Sequence, residues 1–175
     1  MSDFQAVLDA LPDYAKDLKL NLKSVLRDAS VTPAQRYGAA ATAAIFAGKP
    51  DVAAALVAGS EGAVDENVAE DAKAAASLMG MTTVYYRSVH MLGKDDYEQL
   101  PPKLRLQRMF AVKTDKPTFE MFELAAAAVA GCERCLAAHE KNLRDEGVTT
   151  EQVHDLIRIA AIVHGVCVAL VSAEG

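Results

Sequence analysis

The stretch "TTEQVHDLIRIAAIVHGVCVAL", residues 149–170, decides the fold class. Thr149 and Gln152 have the spacing of a capping box, in which each side chain accepts a hydrogen bond from the backbone N–H of the other residue. Apolar residues then occupy nearly every face of the stretch, which is typical of a helix that is buried on all sides. The pattern predicts a central helix around which the other elements pack.

Most of the remaining sequence also has helical periodicity, and alternating runs of β-branched residues are nearly absent. Thr32-Pro33 is a helix start, and Gly48-Lys49-Pro50 ends that helix. Further helices are predicted behind Ser2-Asp3 (with Phe4, Val7, Leu8 and Leu11 on one face), at Asp51–Gly59, Val64–Met79, Thr82–Leu92 and Lys103–Val112, and from Thr118 onward. The prediction is an all-α fold in a single domain over residues 1–175, because no linker is long enough to separate two domains.

A faint internal repeat relates residues 74–92 to residues 125–143. Three consecutive alanines align in the two segments, and Gly80 falls on Gly131. In this register the first copy would keep a helical hairpin and lack the cysteines and histidine of the second. Alanine-rich composition alone accounts for most of the matches, so the repeat is a hypothesis.

The charge pattern limits the partners and the compartment. The chain has a formal net charge of −6, with acids and bases interspersed. Without a basic stripe, neither nucleic acid nor an anionic membrane surface is an expected partner. Three aspartates in the first 13 residues give the wrong charge for a signal peptide. We expect the apolar segment Ile159–Ala173 to be too short to span a membrane. A cytoplasmic protein is therefore predicted.

The stretch "GCERCLAAHE", residues 131–140, contains the candidate chemistry. Cys132 and Cys135 share one face of a helix, and His139 lies one turn beyond the second cysteine. Gly131 suggests that a helix starts here, and a helix N-terminus stabilises a thiolate. With three cysteines in a reducing compartment, a CxxC pair is more typical of catalysis or metal binding than of a structural disulfide.

An acid upstream completes a possible proton relay. If the helix that contains Glu120 ends near Ala130 and the next helix runs back antiparallel to it, Glu120 lies beside His139. In one straight helix Glu120 and Cys132 would instead be about 18 Å apart and could not cooperate. Glu123, one turn along the same face, is the competing acid. Such a carboxylate can orient the histidine, which then passes a proton to or from a cysteine.

Two other readings of the cysteines stay open at this point. Cysteines are common in helical cores, so the pair could be structural. A zinc site would need four ligands; Cys167 with His154 or His164 is available, but without the spacing of a metal motif. We expect Cys167 and His164 to be ordinary buried core residues.

The spacing of the four candidate residues resembles a known family. Glu120, eleven residues, then Cys132-x-x-Cys135-x-x-x-His139 is similar to the motif of the alkyl hydroperoxide reductase D (AhpD) proteins, which are relatives of the carboxymuconolactone decarboxylases. The likeness extends over essentially the whole chain. Further similar segments are "LPDYAKDLKLNL" at 11–22, "GMTTVYYR" at 80–87 and "AAIVHGV" at 160–166.

The resemblance implies a helical fold with a duplicated hairpin, assembled as a homotrimer. It implies an antioxidant peroxidase without a bound cofactor, which reduces organic hydroperoxides and regenerates the peroxiredoxin AhpC. The electrons would come from protein-linked dihydrolipoamide on a lipoylated dihydrolipoamide acyltransferase. The alternatives are a lactone decarboxylase of the same superfamily, and a helical redox sensor or metal-binding module.

The resemblance also implies a role for each motif residue. Cys135 is the peroxidatic cysteine that becomes a sulfenic acid, and Cys132 donates a proton and closes the disulfide. Glu120 and His139 form the proton relay. Arg134 stands where many family members have a histidine, so no role is transferred to it.

Overall fold

The computed structural model describes residues 4–174, and within them it contains helices, turns and loops but no strand. The predicted all-α fold is confirmed, while the Ser2-Asp3 start of the first helix lies outside the described residues. Short 3-10 turns cover Asp13–Ala15 and Gln107–Phe110. The α-helices are α1 Phe4–Ala10, α2 Lys16–Asp28, α3 Pro33–Phe46, α4 Pro50–Ala58, α5 Glu66–Leu92, α6 Asp95–Glu98, α7 Lys116–Ala130, α8 Glu133–Asp145 and α9 Thr150–Ala173.

The centre of the fold is α7, which packs against α3, α5, α8 and α9. Every residue from 118 to 127 is buried, including a run of alanines at its C-terminal half. Small side chains let neighbouring helices approach closely. At the α3 contact, a Cβ placed on Gly38 would lie 2.3 Å from the ring of Phe122, so this crossing requires glycine. The most completely buried helix is therefore α7 rather than α9.

The last helix has a buried face and an exposed face. Its capping box at Thr149 and Gln152 is present as predicted. However, Ile157, Val168 and Val171 are 40%, 51% and 54% exposed, so the expectation that the helix is buried on all sides is wrong. Isoleucine and valine at these exposed positions make the sequence look uniformly apolar, although only one face meets α2, α3 and α7.

The length of α9 also differs from the expectation. With 24 residues and a mean hydropathy of 2.2 over its most apolar window, it is long and apolar enough to cross a membrane by length and composition alone. The expectation that this segment is too short is therefore wrong. Its buried face packs against α2, α3 and α7.

The two helices predicted at Val64–Met79 and Thr82–Leu92 are one continuous helix, α5. Glycine inside a helix costs only about 1 kcal/mol, and the long contacts of α5 with α3 and α7 outweigh this at Gly80. Residues 74–92 thus contain no turn, and the expectation that they keep a hairpin is wrong. The duplication itself stays a prediction.

The prediction of a helix at Lys103–Val112 is also wrong, since only a 3-10 turn forms in this segment. A buried carboxylate, Asp71 of α5, holds the following chain in a non-helical path. It accepts hydrogen bonds from the backbone N–H groups of Lys113 and Thr114 at 2.9 and 2.8 Å. The guanidinium of Arg108 donates a further, charge-assisted hydrogen bond to Asp71 at 2.5 Å. These bonds fix the loop that carries one wall of the cavity described below.

Burial would raise the pKa of Asp71, but the hydrogen bonds from Thr114, Arg108 and Lys113 outweigh it and hold the pKa below its usual value. Asp71→Asn should therefore lower the free energy of unfolding at pH 7 by about 3 kcal/mol, because it leaves buried donors and a guanidinium without their anion. Since the folded pKa is depressed, this stabilisation is present above about pH 4 and is lost as the pH falls further. Urea unfolding of both proteins between pH 3 and 7 measures the difference.

Glu70→Gln is the matched control, because Glu70 also contacts Arg108, at 3.4 Å, but is half exposed. It should change the stability by less than about 1 kcal/mol. Equal stability of Asp71→Asn and the wild type at pH 7 would contradict this account of the loop.

Candidate active site

A tight turn at Gly131 reverses the chain between α7 and α8. Gly131 has a φ of 62°, in the left-handed region that favours glycine. The backbone N–H of Cys132 bonds to the carbonyl of Ala127 at 3.2 Å, which closes the C-terminus of α7. Cys132 then caps α8, since its sulfur accepts the N–H of Cys135 at 3.4 Å. Cys132 is therefore the N-cap residue of α8, and Cys135 lies in the first turn.

The reversal brings Glu120 of α7 against His139 of α8. Glu120 Oε2 lies 2.8 Å from His139 Nδ1, and both side chains are buried. Asn142 donates to both carboxylate oxygens of Glu120, at 3.2 and 3.4 Å, and so fixes their orientation. A carboxylate beside Nδ1 favours a proton on that nitrogen, which leaves Nε2 as the ring atom that can accept or release one.

The two cysteines differ in their surroundings. They form a disulfide, with Cα atoms 5.3 Å apart. Cys132 has no exposed surface and packs in a small apolar cluster with Met79 and the alanines of α7. Cys135 is 7% exposed and lines a cavity together with His139. Of the two sulfurs, only Cys135 is therefore positioned to meet a small molecule from outside.

The cavity beside Cys135 has a volume of about 290 Å³. This is at the lower end of the range for small-molecule sites. Its lining includes the reactive groups of Cys135, His139 and Glu123, and most of its surface is apolar. The apolar wall is formed by Met79 and Tyr86 of α5 and by Leu106 and Met109 of the loop that Asp71 holds. A small organic molecule with one polar reacting end fits this division.

Glu123 has an unusual environment. Its side chain is 1% exposed, and neither carboxyl oxygen has a hydrogen-bond partner within residues 4–174. One oxygen lies 3.8 Å from His139 Nδ1, which is too far for a hydrogen bond. Burial raises the pKa of Glu123 to about 7; His139 opposes this rise, and Glu120 adds to it. Sequence spacing identified Glu123 as a competitor of Glu120, but could not show that both acids face the same histidine.

Comparison with known proteins agrees with this geometry. The sequence matches the Carboxymuconolactone decarboxylase family over residues 95–174. It is 45% identical to the alkyl hydroperoxide reductase AhpD of Anaeromyxobacter dehalogenans strain 2CP-C, over 97% of this chain and 91% of that protein. The chain belongs to the AhpD family. AhpD proteins of Rhodospirillum centenum and Brucella suis are 44% and 43% identical, over 95% and 94% of this chain and 89% and 94% of their own lengths.

Arg134, which the sequence left without a role, lies at the cavity. Its guanidinium stacks over the ring of Tyr86, 5.7 Å from the ring centroid, and lies 3.8 Å from the carboxylate of Glu98. About half of the side chain is exposed. Arg134 therefore places a partly solvated positive charge on the rim of this AhpD-family site, beside Cys135 in the sequence.

The structure does not bring together the residues considered for zinc. Within residues 4–174, the only group of three or more potential ligands is Glu120, Glu123 and His139, whose ligand atoms lie within 4.8 Å of one another. Neither cysteine of the CxxC belongs to it, and the 2.8 Å contact of Glu120 with His139 is a hydrogen bond that needs no ion. His164, expected to be buried, is exposed on α9.

The third cysteine, Cys167, should be chemically inert in the folded protein. It is 2% exposed, and burial raises the pKa of its thiol to about 11. At pH 8 only about one thiol in a thousand would then be a thiolate. In reduced native protein, iodoacetamide should label Cys135 while Cys167 stays unmodified until unfolding. Peptide mapping by mass spectrometry measures this, and labelling of Cys167 as fast as Cys135 would contradict it.

Proposed function

We propose that the chain is an antioxidant, thiol-dependent alkyl hydroperoxide reductase that acts through the Cys132–Cys135 dithiol/disulfide couple. The observation that carries the proposal is the position of Cys135 in a largely apolar cavity beside His139, with Cys132 buried within disulfide distance behind it. The names of the relatives, alkyl hydroperoxide reductase AhpD, agree with it.

The first step is the loss of the proton from Cys135. Both sulfurs lie at the N-terminus of α8, where backbone N–H groups and the helix dipole stabilise negative charge on sulfur. His139 accepts the proton, and the carboxylate of Glu120 at Nδ1 stabilises the imidazolium that forms. Burial of the pair strengthens this interaction, because the local dielectric constant is low.

The thiolate of Cys135 then attacks the terminal oxygen of the hydroperoxide. The O–O bond breaks, an alcohol leaves after protonation, and Cys135 becomes a sulfenic acid. The thiol of Cys132 condenses with this sulfenic acid, which releases water and forms the disulfide. Cys132 is thus the resolving cysteine, and its complete burial protects it from direct attack on peroxide.

An external dithiol restores both cysteines by thiol–disulfide exchange. In this proposal the donor is protein-linked dihydrolipoamide on a lipoylated dihydrolipoamide acyltransferase, and the partner that receives electrons is the peroxiredoxin AhpC.

The protein has no bound cofactor and is cytoplasmic. It is a homotrimer, for which the exposed apolar residues provide surface that a subunit contact would cover. The most exposed are Phe110, Met91, Tyr14, Leu100 and Leu20.

The alternatives have less support. A lactone decarboxylase does not require two cysteines, so the paired and cavity-lining CxxC counts against it, although the family matched over residues 95–174 carries that name. A zinc module would need four ligands that include the pair, and within residues 4–174 the only group of three or more potential ligands contains neither cysteine. A redox sensor would use the same dithiol without rapid turnover, so turnover separates it from the enzyme.

Cys135→Ser should reduce turnover of an organic hydroperoxide by at least about 1,000-fold, because an alcohol does not replace the thiolate nucleophile. Glu120→Gln and His139→Gln should each reduce turnover by about 100-fold while leaving the dithiol intact. Consumption of cumene hydroperoxide with dihydrolipoamide as the reductant measures both effects.

Cys167→Ser is the matched control, and it should retain turnover because Cys167 lies outside the cavity. Unchanged turnover in Cys135→Ser would refute the dithiol mechanism. Normal turnover in both relay variants would refute the role of Glu120 and His139 as a proton relay but would leave the dithiol mechanism intact. Stoichiometric zinc in protein purified under reducing conditions would favour the metal-binding alternative.

A further inference from the structure

Glu123 is a buried acid that the mechanism above does not use. It projects from the centre of α7 into the same cavity as Cys135, and its two oxygens have no hydrogen-bond partner within residues 4–174. An ionised carboxylate in this position would be expensive, because a buried charge needs a counter-ion or donors to replace water. Glu123 is close enough to His139 to feel its charge, but His139 Nδ1 is already bonded to Glu120.

The charge balance of Glu120, Glu123 and His139 indicates which of these groups carries a proton. Two ionised acids and a neutral histidine would bury two negative charges without compensation. A proton on Glu123 and the hydrogen bond between Glu120 and His139 leave at most one negative charge. Among the described residues, the other titratable or charged groups on the cavity wall are Arg134 of α8 and Tyr86 of α5, and α3 and α9 contribute none.

We propose that Glu123 is the proton donor to the departing alkoxide, a catalytic role distinct from the Glu120–His139 pair that deprotonates Cys135. It replaces in this role Cys132, to which the family resemblance assigns proton donation, because Glu123 lines the cavity and Cys132 does not. The proposal rests on the peroxidase function proposed above. The position of Glu123 supports this role. An acid that has no hydrogen bond to the described residues, and that is buried on the cavity wall with the attacking sulfur, has its proton available for a molecule that enters. A carboxyl group already bonded to protein donors would be held in its ionised form and would have no proton to give.

The step is balanced in atoms and electrons. The thiolate of Cys135 forms a bond to the terminal oxygen of ROOH, the O–O bond breaks, and RO⁻ takes the proton of Glu123 to leave as ROH. Sulfur loses two electrons and the peroxide gains them. Glu123 is then a carboxylate that takes up a proton while His139 gives up the one that it took from Cys135, so Glu120, Glu123 and His139 end each reduction with the number of protons with which they began.

The test compares two leaving groups in the Glu123→Gln variant, which keeps the size of the side chain but has no proton to give. Tert-butyl hydroperoxide releases a strongly basic alkoxide, whereas peracetic acid releases a carboxylate that needs no proton. We expect Glu123→Gln to lose about 100-fold in turnover with tert-butyl hydroperoxide and to stay within about threefold of wild type with peracetic acid. Glu140→Gln, which removes an exposed acid of α8, should leave both rates unchanged.

A second measurement detects the protonated carboxyl group of Glu123 directly. In reduced protein, the infrared difference between wild type and Glu123→Gln should contain the C=O band of a protonated carboxyl group at pH 6, and this band should weaken as the pH rises through 7. Absence of the band at pH 6 would overturn the proposal.

The kinetic outcomes are equally decisive. An equal loss with both peroxides would mean that Glu123 only supports the structure, and no loss with either would mean that it is not a proton donor; both outcomes overturn the proposal. Wild-type protein that consumes neither peroxide would refute the peroxidase function itself. If the wild type is active and Glu123→Gln is equally active, only the role of Glu123 is refuted.

Discussion

The antiparallel packing of α7 against α8, turned at Gly131, is the constraint on which the rest of the site depends. The small side chains of Ala125–Ala127 are fully buried and let the helices around them approach closely. Only this reversal places Glu120 within 2.8 Å of His139, although 19 positions separate them in the sequence. The same turn places Cys132 at the start of α8, so one backbone feature positions the thiols and the acid–histidine pair together.

Burial then determines the chemistry that these groups can perform. Glu120 is held by a histidine and an asparagine, whereas Glu123, on the same helix, has no hydrogen-bond partner among the described residues. Two acids on one helix face thus have different environments, which is how proteins assign different protonation states to the same type of side chain. The loop held by Asp71 contributes Leu106 and Met109 to the wall of the cavity that Glu123 also lines.

Local signals in the sequence were sufficient for part of this structure. The capping residues Thr32 and Thr149 define helix starts whatever surrounds them, and the hairpin prediction places Glu120 beside His139. Prediction failed where distant contacts decide the outcome. Glycine at position 80 does not break α5, because long helix contacts outweigh its cost. The segment 103–112 is held by an acid more than 30 positions away.

The most direct test of the account is a count of thiols. Fully reduced protein, titrated after unfolding, should give three thiols per chain. One equivalent of an organic hydroperoxide should leave one thiol, that of Cys167, and dihydrolipoamide should restore all three. Retention of three thiols after peroxide treatment, or loss of two that dihydrolipoamide cannot reverse, would contradict a catalytic Cys132–Cys135 couple.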